Sequence, residues 1–425
     1  MADGTGTEAW AGAVGAEAPE VELPLAQAQG PLDVITDPAE LARAAERLAA
    51  GSGPVAVDAE RANGFRYSAR AYLVQLYRRD AGTVLVDPTA FDDLSPLQEA
   101  IGGEEWIIHA ASQDLPCLRE VGLEPARLFD TELGARLAGF ERVGLAAVTE
   151  RLVRLRLRKE HGASDWSTRP IPAAWLEYAA LDVEVLPDAR EALAAELVSQ
   201  GKQELAEQEF AYALERRPKP PAAEPWRRLS GIHTIRDRHQ LAVARELWLA
   251  RDELARSTDT APGRLVPDRS LLAAATADIE AKGRLAARKD FSGRASRSEL
   301  DRWWSAIERG RASDDLPQLR VRSDEPPPPR FWKSRRPTAD ARLKAARRVV
   351  QQVAEEHTMP AENLLMPDTL RRVAWEPTEP TAEGVAAVLR ERDARPWQVA
   401  ATAQRIAAAF VEADQAPAEA PDDDS

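Results

Sequence analysis

The sequence predicts an α/β domain, a mixed sheet flanked by helices, followed by two all-α helical modules. Three observations predict it. β-rich runs crowd between residues 54 and 87, apolar residues recur at helical spacing through most of the remainder, and two proline-rich stretches divide the chain. A length of 425 residues fits about three domains at roughly 150 residues each.

Residues 1–30 are rich in Ala, Gly, Glu and Pro and lack hydrophobic period, so they are expected to be a disordered acidic tail. Asp37-Pro38 reads as an N-cap followed by proline at the first helical position, opening a helix through Leu41, Ala45 and Leu48. Strands are expected over 54–60, 71–77 and 83–87, with Asp80-Ala81-Gly82 as a turn, which together suggest an antiparallel meander. Residues 106–109 read as a short buried strand and 113–121 as a helix. Further helices are expected around 131–138, 144–157 and 172–200, completing an α/β domain over 31–215. Arg217-Pro218-Lys219-Pro220-Pro221 through Pro225 forms a semi-rigid linker. Residues 226–310 then read as several short helices. After a second stiff linker at Glu325-Pro326-Pro327-Pro328-Pro329, residues 338–412 are again helical, and 413–425 form a second disordered acidic tail.

The net charge of −14 is misleading until it is mapped. Residues 1–40 contribute −8 without a single Lys or Arg, and residues 412–425 contribute −6, so the body between is neutral. Within it, residues 284–348 hold 18 basic and 9 acidic side chains, which suits either a solvated helical face or an anion-binding one. No window approaches the ~18 apolar residues of a membrane span, and, with no basic, greasy segment near residue 1, no secretory leader is expected. Cys117 is the only cysteine, which excludes disulfide scaffolds and cysteine-based zinc sites and reads as a small buried hydrophobe in a reducing cytoplasm.

Phosphate-loop, nucleophile-elbow, HExxH and dinucleotide motifs are missing, so no nucleotide cofactor is expected. The five histidines show no metal-ligand spacing. Carboxylates remain. Asp58 and Glu60 lie at i and i+2 near the end of the first long strand, so strand period two puts both on one face. Ionised carboxylates on a buried face cost free energy unless they bind cations. Asp114 follows a short apolar strand at a helix start, where capping is the simpler role. Tyr178 and Asp182, at i and i+4, share one helix face, and Ala179-Ala180 beside them permit close approach of another element. Four carboxylates from a strand, a helix start and a later helix match the needs of two Mg²⁺ or Mn²⁺ ions in phosphoryl transfer. A tyrosine hydroxyl beside them can orient the attacking water and assist its deprotonation.

The runs Val57-Asp58-Ala59-Glu60, His109-Ala110-Ala111-Ser112-Gln113-Asp114-Leu115 and Tyr178-Ala179-Ala180-Leu181-Asp182-Val183 resemble the three motifs of the DEDDy 3′→5′ exonucleases. Arg70-Ala71-Tyr72-Leu73-Val74-Gln75-Leu76 and Asp165-Trp166-Ser167-Thr168-Arg169-Pro170 add similarity to the ribonuclease D family, and Leu249–Ala255 with Leu265-Val266-Pro267-Asp268 resembles an HRDC domain. Residues 338–412 look like a second, diverged copy. The resemblance implies an RNase H-like exonuclease fold and a 3′→5′ exoribonuclease that releases nucleoside 5′-monophosphates from RNA such as tRNA precursors.

In that scheme Asp58, Glu60 and Asp182 hold one divalent ion, Asp58 bridges to a second that Asp114 supports, and Tyr178 positions the nucleophile. Arg61-Ala62 departs from the hydroxyl or aromatic residue that many relatives carry. Gln75, Arg154, Arg158, Trp166 and Arg169 are the expected nucleic-acid contacts. The expected partner is an RNA 3′ end, with no membrane, and a monomer is expected. A DNA exonuclease and an inert nucleic-acid-binding scaffold are the competing readings; filled chemical positions speak against the second.

Overall fold

The protein is described from a computed structural model covering residues 23–158, 161–218, 220, 222–320, 325–376 and 379–415. The tails at 1–22 and 416–425, Lys159, and Lys219 and Pro221 of the first linker lie outside the described residues. The expected disorder does not extend through residue 30. Leu25 bridges to Arg156, the Ala26 N–H donates to the Arg156 carbonyl at 3.0 Å, and the Gln29 N–H donates to the Glu184 carboxylate at 3.0 Å. At the other end, helix continues to Gln415, past the expected boundary at 412.

The first domain runs β1 (Val34–Ile35), α1 (Pro38–Ala49), β2 (Ser52–Arg61), β3 (Ala71–Arg79), β4 (Gly82–Val86), α2 (Ser95–Ile101), β5 (Glu105–Ile108), α3 (Leu115–Glu120) and β6 (Arg127–Asp130). Helices α4 (Thr131–Leu137), α5 (Leu145–Leu152), α6 (Ala173–Glu184), α7 (Leu186–Ser199) and α8 (Gln203–Glu215) complete it. The six strands order as β1-β4-β3-β2-β5-β6. β2, β3 and β4 form the expected antiparallel meander, while β5 and β6 extend it in parallel through crossovers. The sheet is therefore mixed, as the sequence predicts. Asp37 caps α1 by accepting from the Ala39 and Glu40 N–H groups, with Pro38 in the first turn.

Two helical stretches also differ from the expectation. Residues 172–200 are two helices, not one, because the chain breaks at Val185 and Pro187 cannot supply an N–H to α6. Residues 226–310 hold the expected short helices, but also one of 20 residues, Arg238–Ser257.

That helix, α9 (Arg238–Ser257), packs with α10 (Pro262–Leu265), α11 (Asp268–Thr276), α12 (Lys282–Ala286), α13 (Arg294–Ser298) and α14 (Leu300–Arg311) around Trp303. The second module comprises α15 (Trp332–Arg335), α16 (Pro337–Glu356), α17 (Ala361–Leu364), α18 (Pro367–Trp375), α19 (Ala382–Glu391) and α20 (Pro396–Gln415). Both modules dock on the first domain. The first clamps the loop after β2: Asp259 accepts from the Ser68 N–H and the Tyr72 hydroxyl, each at 3.0 Å, and Asp252 accepts from the Tyr67 hydroxyl at 3.0 Å. The second shares one apolar core with α4, α7 and α8, where buried Glu209 accepts from Arg395 at 2.6 Å and from the Trp397 indole at 2.8 Å. Among the described residues no helix is long and apolar enough to cross a membrane.

Candidate active site

β2 delivers the first two carboxylates. Asp58 faces Gln75 and Glu60 faces Leu73 across the β2–β3 ladder, so period two places both side chains on the same side of the sheet. α6 crosses that side. Fully buried Ala179 and Ala180 let its backbone come close, and the turn spacing then brings Asp182 and Tyr178 over the two strand acids. Carboxylate oxygens of Asp58, Glu60 and Asp182 all lie within 4.8 Å of one another.

Asp114 arrives from the other edge. β5 ends at Ile108, and the turn through Ala110, left-handed at φ 61°, swings the chain into α3. Asp130 stabilises that turn by accepting from the Ala110 and Ala111 N–H groups at 3.1 and 2.9 Å while also capping α4. Asp114 sits at the N-cap position of α3 yet makes no side-chain cap bond. The capping role is thereby excluded. Its carboxyl instead lies in hydrogen-bond contact with Asp58, and Arg61 Nη2 approaches its Oδ1 to 3.4 Å.

The cluster is electrostatically strained. Burial, then the charges of Asp58, Asp182 and Asp114, push Glu60 up to about 10. Asp114 and Asp182 are both held well above the ordinary carboxylate range by burial and by Asp58, and burial also raises Asp58 itself. Tyr178 hydrogen-bonds Asp182 and is raised by burial and by the carboxylates, so the phenol keeps its proton. Hard oxygen donors converging without enough protein cations to balance them fit divalent ions such as Mg²⁺ or Mn²⁺. Asp58, Glu60 and Asp182 would hold one ion, with Asp114 reaching a second beside Asp58.

A cavity of about 710 Å³ opens over these residues and is lined also by Arg61, His109, Arg142, Arg158 and His161. Sequence reasoning gave Arg142 and the two histidines no part here; His109 opens the second motif run, while no motif marks Arg142 or His161. His109 is held neutral, pushed down to about 4 by burial, with Nδ1 2.9 Å from the Thr131 hydroxyl. His161 stands edge-on to Tyr178, and Gly162 leaves room beside the phenol hydroxyl.

The expected nucleic-acid contacts divide. Arg158 lines the cavity, exposed and 3.8 Å from Glu177. Arg154 is exposed just beyond α5 and does not line the cavity. Three others are corrected by their burial or bonding. Gln75 is fully buried and its amide donates toward Asp58 at 3.4 Å, so it supports the ligand from below. Trp166 is fully buried against Trp175 and Tyr178 and offers no stacking surface. Arg169 is committed to Asp87 at 2.6 Å and to the Tyr72, Trp166 and Thr168 carbonyls, where it pins the loop leading into α6. Cys117 is buried, as expected.

Comparison with known proteins bears on what this constellation is. A family profile described as 3′-5′ exonuclease matches residues 32–198, and an HRDC domain profile matches 240–307. Residues 338–412 are expected as a diverged HRDC copy, but a different profile, the 3′ to 5′ exonuclease C-terminal domain, matches residues 325–410. Ribonuclease D of Gluconacetobacter diazotrophicus is 31% identical over 338 residues, spanning 76% of this chain and 81% of that one. The chain belongs to the ribonuclease D family. With membership comes the reaction class, hydrolytic 3′→5′ exonuclease action on RNA. Among solved structures, a protein from Bifidobacterium adolescentis is similar at 38% identity and TM-score 0.84, covering 92% of this chain and all of its own. Escherichia coli RNase D matches at 26% identity and TM-score 0.64, covering 84% of this chain and 98% of that one, and is described as an exoribonuclease involved in structured RNA processing.

Proposed function

We propose that Asp58, Glu60, Asp114 and Asp182 hold two Mg²⁺ or Mn²⁺ ions, and that the chain trims the 3′ ends of structured RNA such as tRNA precursors in the cytoplasm. Nucleoside 5′-monophosphates leave one at a time, and the chain acts as a monomer. The observation that carries this reading is the convergence of Asp58, Glu60 and Asp182 within 4.8 Å under an open cavity. Bound divalent ions would supply the charge that stabilises the attacking and leaving oxygens of the phosphodiester.

The chain's own groups do the rest. Tyr178, its hydroxyl fixed by Asp182, orients a water toward the scissile phosphorus. Gln75 holds Asp58 in register from beneath. Arg158 and Arg142 at the cavity edge attract the phosphate backbone.

The test is degradation of 3′-labelled single-stranded RNA and its DNA counterpart, with and without EDTA. Metal-dependent mononucleotide release, faster from RNA, is expected. Equal rates on both polymers would make the chain a general 3′→5′ exonuclease, and release that persists in EDTA would reject the divalent-ion reading.

A further inference from the structure

We infer that Arg61 is a resident cation of the cleft: it occupies the Asp114 carboxylate in the absence of RNA and leaves it for a phosphate oxygen of the RNA 3′ end. The inference rests on the four carboxylates being the divalent-ion site.

Strand alternation alone would turn residue 61 away from the face that carries Asp58 and Glu60. The pairing slips there: Leu73 stands opposite Glu60, but Ala71, not Tyr72, stands opposite Arg61. The slip re-aims the side chain. Arg61 Nη2 reaches 3.4 Å from Asp114 Oδ1, and the same side chain lines the cavity. It is only 21% exposed, whereas Arg158 at the cavity edge is 57% exposed and leans toward Glu177. Among the described residues, Arg61 is the arginine paired with one of the four carboxylates.

Charge arithmetic gives the pairing a consequence. Four ionised carboxylates are balanced by two divalent ions; a guanidinium in the same cleft adds one positive charge that calls for an anion. A phosphodiester carries one negative charge and presents the paired oxygens that a guanidinium fork matches. Asp114 is also the carboxylate outside the tight trio, so it is the one for which a guanidinium and a second divalent ion compete most directly. The competition predicts one tightly held ion before RNA binds and two afterwards, with RNA drawing Arg61 off Asp114.

Counting bound Mn²⁺ on the full chain, by the electron paramagnetic resonance of the free ion, tests this. The samples are wild type and Arg61→Gln, each with and without a short RNA carrying a 3′-terminal phosphorothioate linkage. The wild type alone is expected to bind one ion, rising to two with the oligonucleotide. Arg61→Gln is expected to bind two without it, the second at least about tenfold tighter than in wild type, and to bind the RNA about tenfold more weakly, the worth of one charge-assisted hydrogen bond. Arg61→Met, which keeps the apolar stem, reports the same quantities should glutamine disturb folding. Two ions in the wild type without RNA, or a count and RNA affinity that neither substitution changes, would overturn the role of Arg61 while leaving the divalent site intact. Binding of no Mn²⁺ by any of the proteins would overturn the divalent site itself.

Discussion

Glu60→Gln separates the charge of the carboxylate cluster from its shape. In EDTA, Glu60 is pushed up to about 10 by burial and by its three acidic neighbours, so it is protonated near neutral pH. Glutamine is close to isosteric with that protonated acid. The variant should therefore melt within about 2 °C of the wild type near pH 4.5 and increasingly above it toward neutral pH, because only the wild type must take up a proton to fold. The pH dependence has a definite sign. Because the folded state binds the Glu60 proton more tightly than the unfolded state, this contribution to stability is complete below about pH 4.5 and is lost as pH rises toward about 10.

Two ionised carboxylates within 4.8 Å repel by about 3.5 kcal/mol at an effective dielectric of ~20. The folded protein avoids that repulsion by keeping Glu60 protonated, so from neutral to mildly alkaline pH the variant, which needs no proton, should be the more stable protein in EDTA. With Mn²⁺ at ~100 times its dissociation constant the wild type gains about 2.7 kcal/mol, which is roughly 5–10 °C. The variant, short of one ligand, should lose most of that gain. Thermal unfolding followed by circular dichroism, at two pH values with EDTA or Mn²⁺, measures all four quantities. A variant no more stable than wild type in EDTA at neutral pH, or one with an undiminished Mn²⁺ shift, would refute the reasoning.

Three further outcomes are expected. Asp182→Asn should abolish mononucleotide release while leaving RNA affinity within about twofold, measured by gel shift and product analysis; residual turnover near wild type would show that the residue is not a ligand. Tyr178→Phe should lower kcat by roughly 10²–10⁴-fold with Mn²⁺ affinity unchanged, and a normal kcat would remove the phenol from the mechanism. Asp259→Ala strands the Ser68 N–H and the Tyr72 hydroxyl at a cost of about 1–3 kcal/mol, so proteolysis of loop 62–70 should accelerate and KM for RNA should rise more than kcat falls. Unchanged proteolysis would show that the clamp does not hold that loop.

Much of the site was legible because its geometry is local. Period two in β2 couples Asp58 to Glu60, and one helical turn couples Tyr178 to Asp182, so each pair could be placed on a face before any fold was known. Convergence of the pairs is a tertiary fact, and the three-motif resemblance supplied it. The motifs did not reveal burial. Gln75, Trp166 and Arg169 lie in family-like runs, yet they serve as a prop, a core side chain and a loop pin. Asp130 went unnoticed because β6, Arg-Leu-Phe-Asp, is too short and unpatterned to signal a strand. Arg61 reaches the cleft only through a slip in strand pairing, which no periodicity displays. The linkers also misled: proline runs suggest separated modules, but Glu209 and Trp397 tie the second module into the core of the first domain.

The central claim is that acids from β2, the start of α3 and α6 jointly grip divalent metal. The most direct measurement is anomalous diffraction from crystals grown with Mn²⁺. The account predicts a peak about 2.0–2.3 Å from oxygens of Asp58, Glu60 and Asp182. A clear map with those side chains ordered and no peak between them would contradict it.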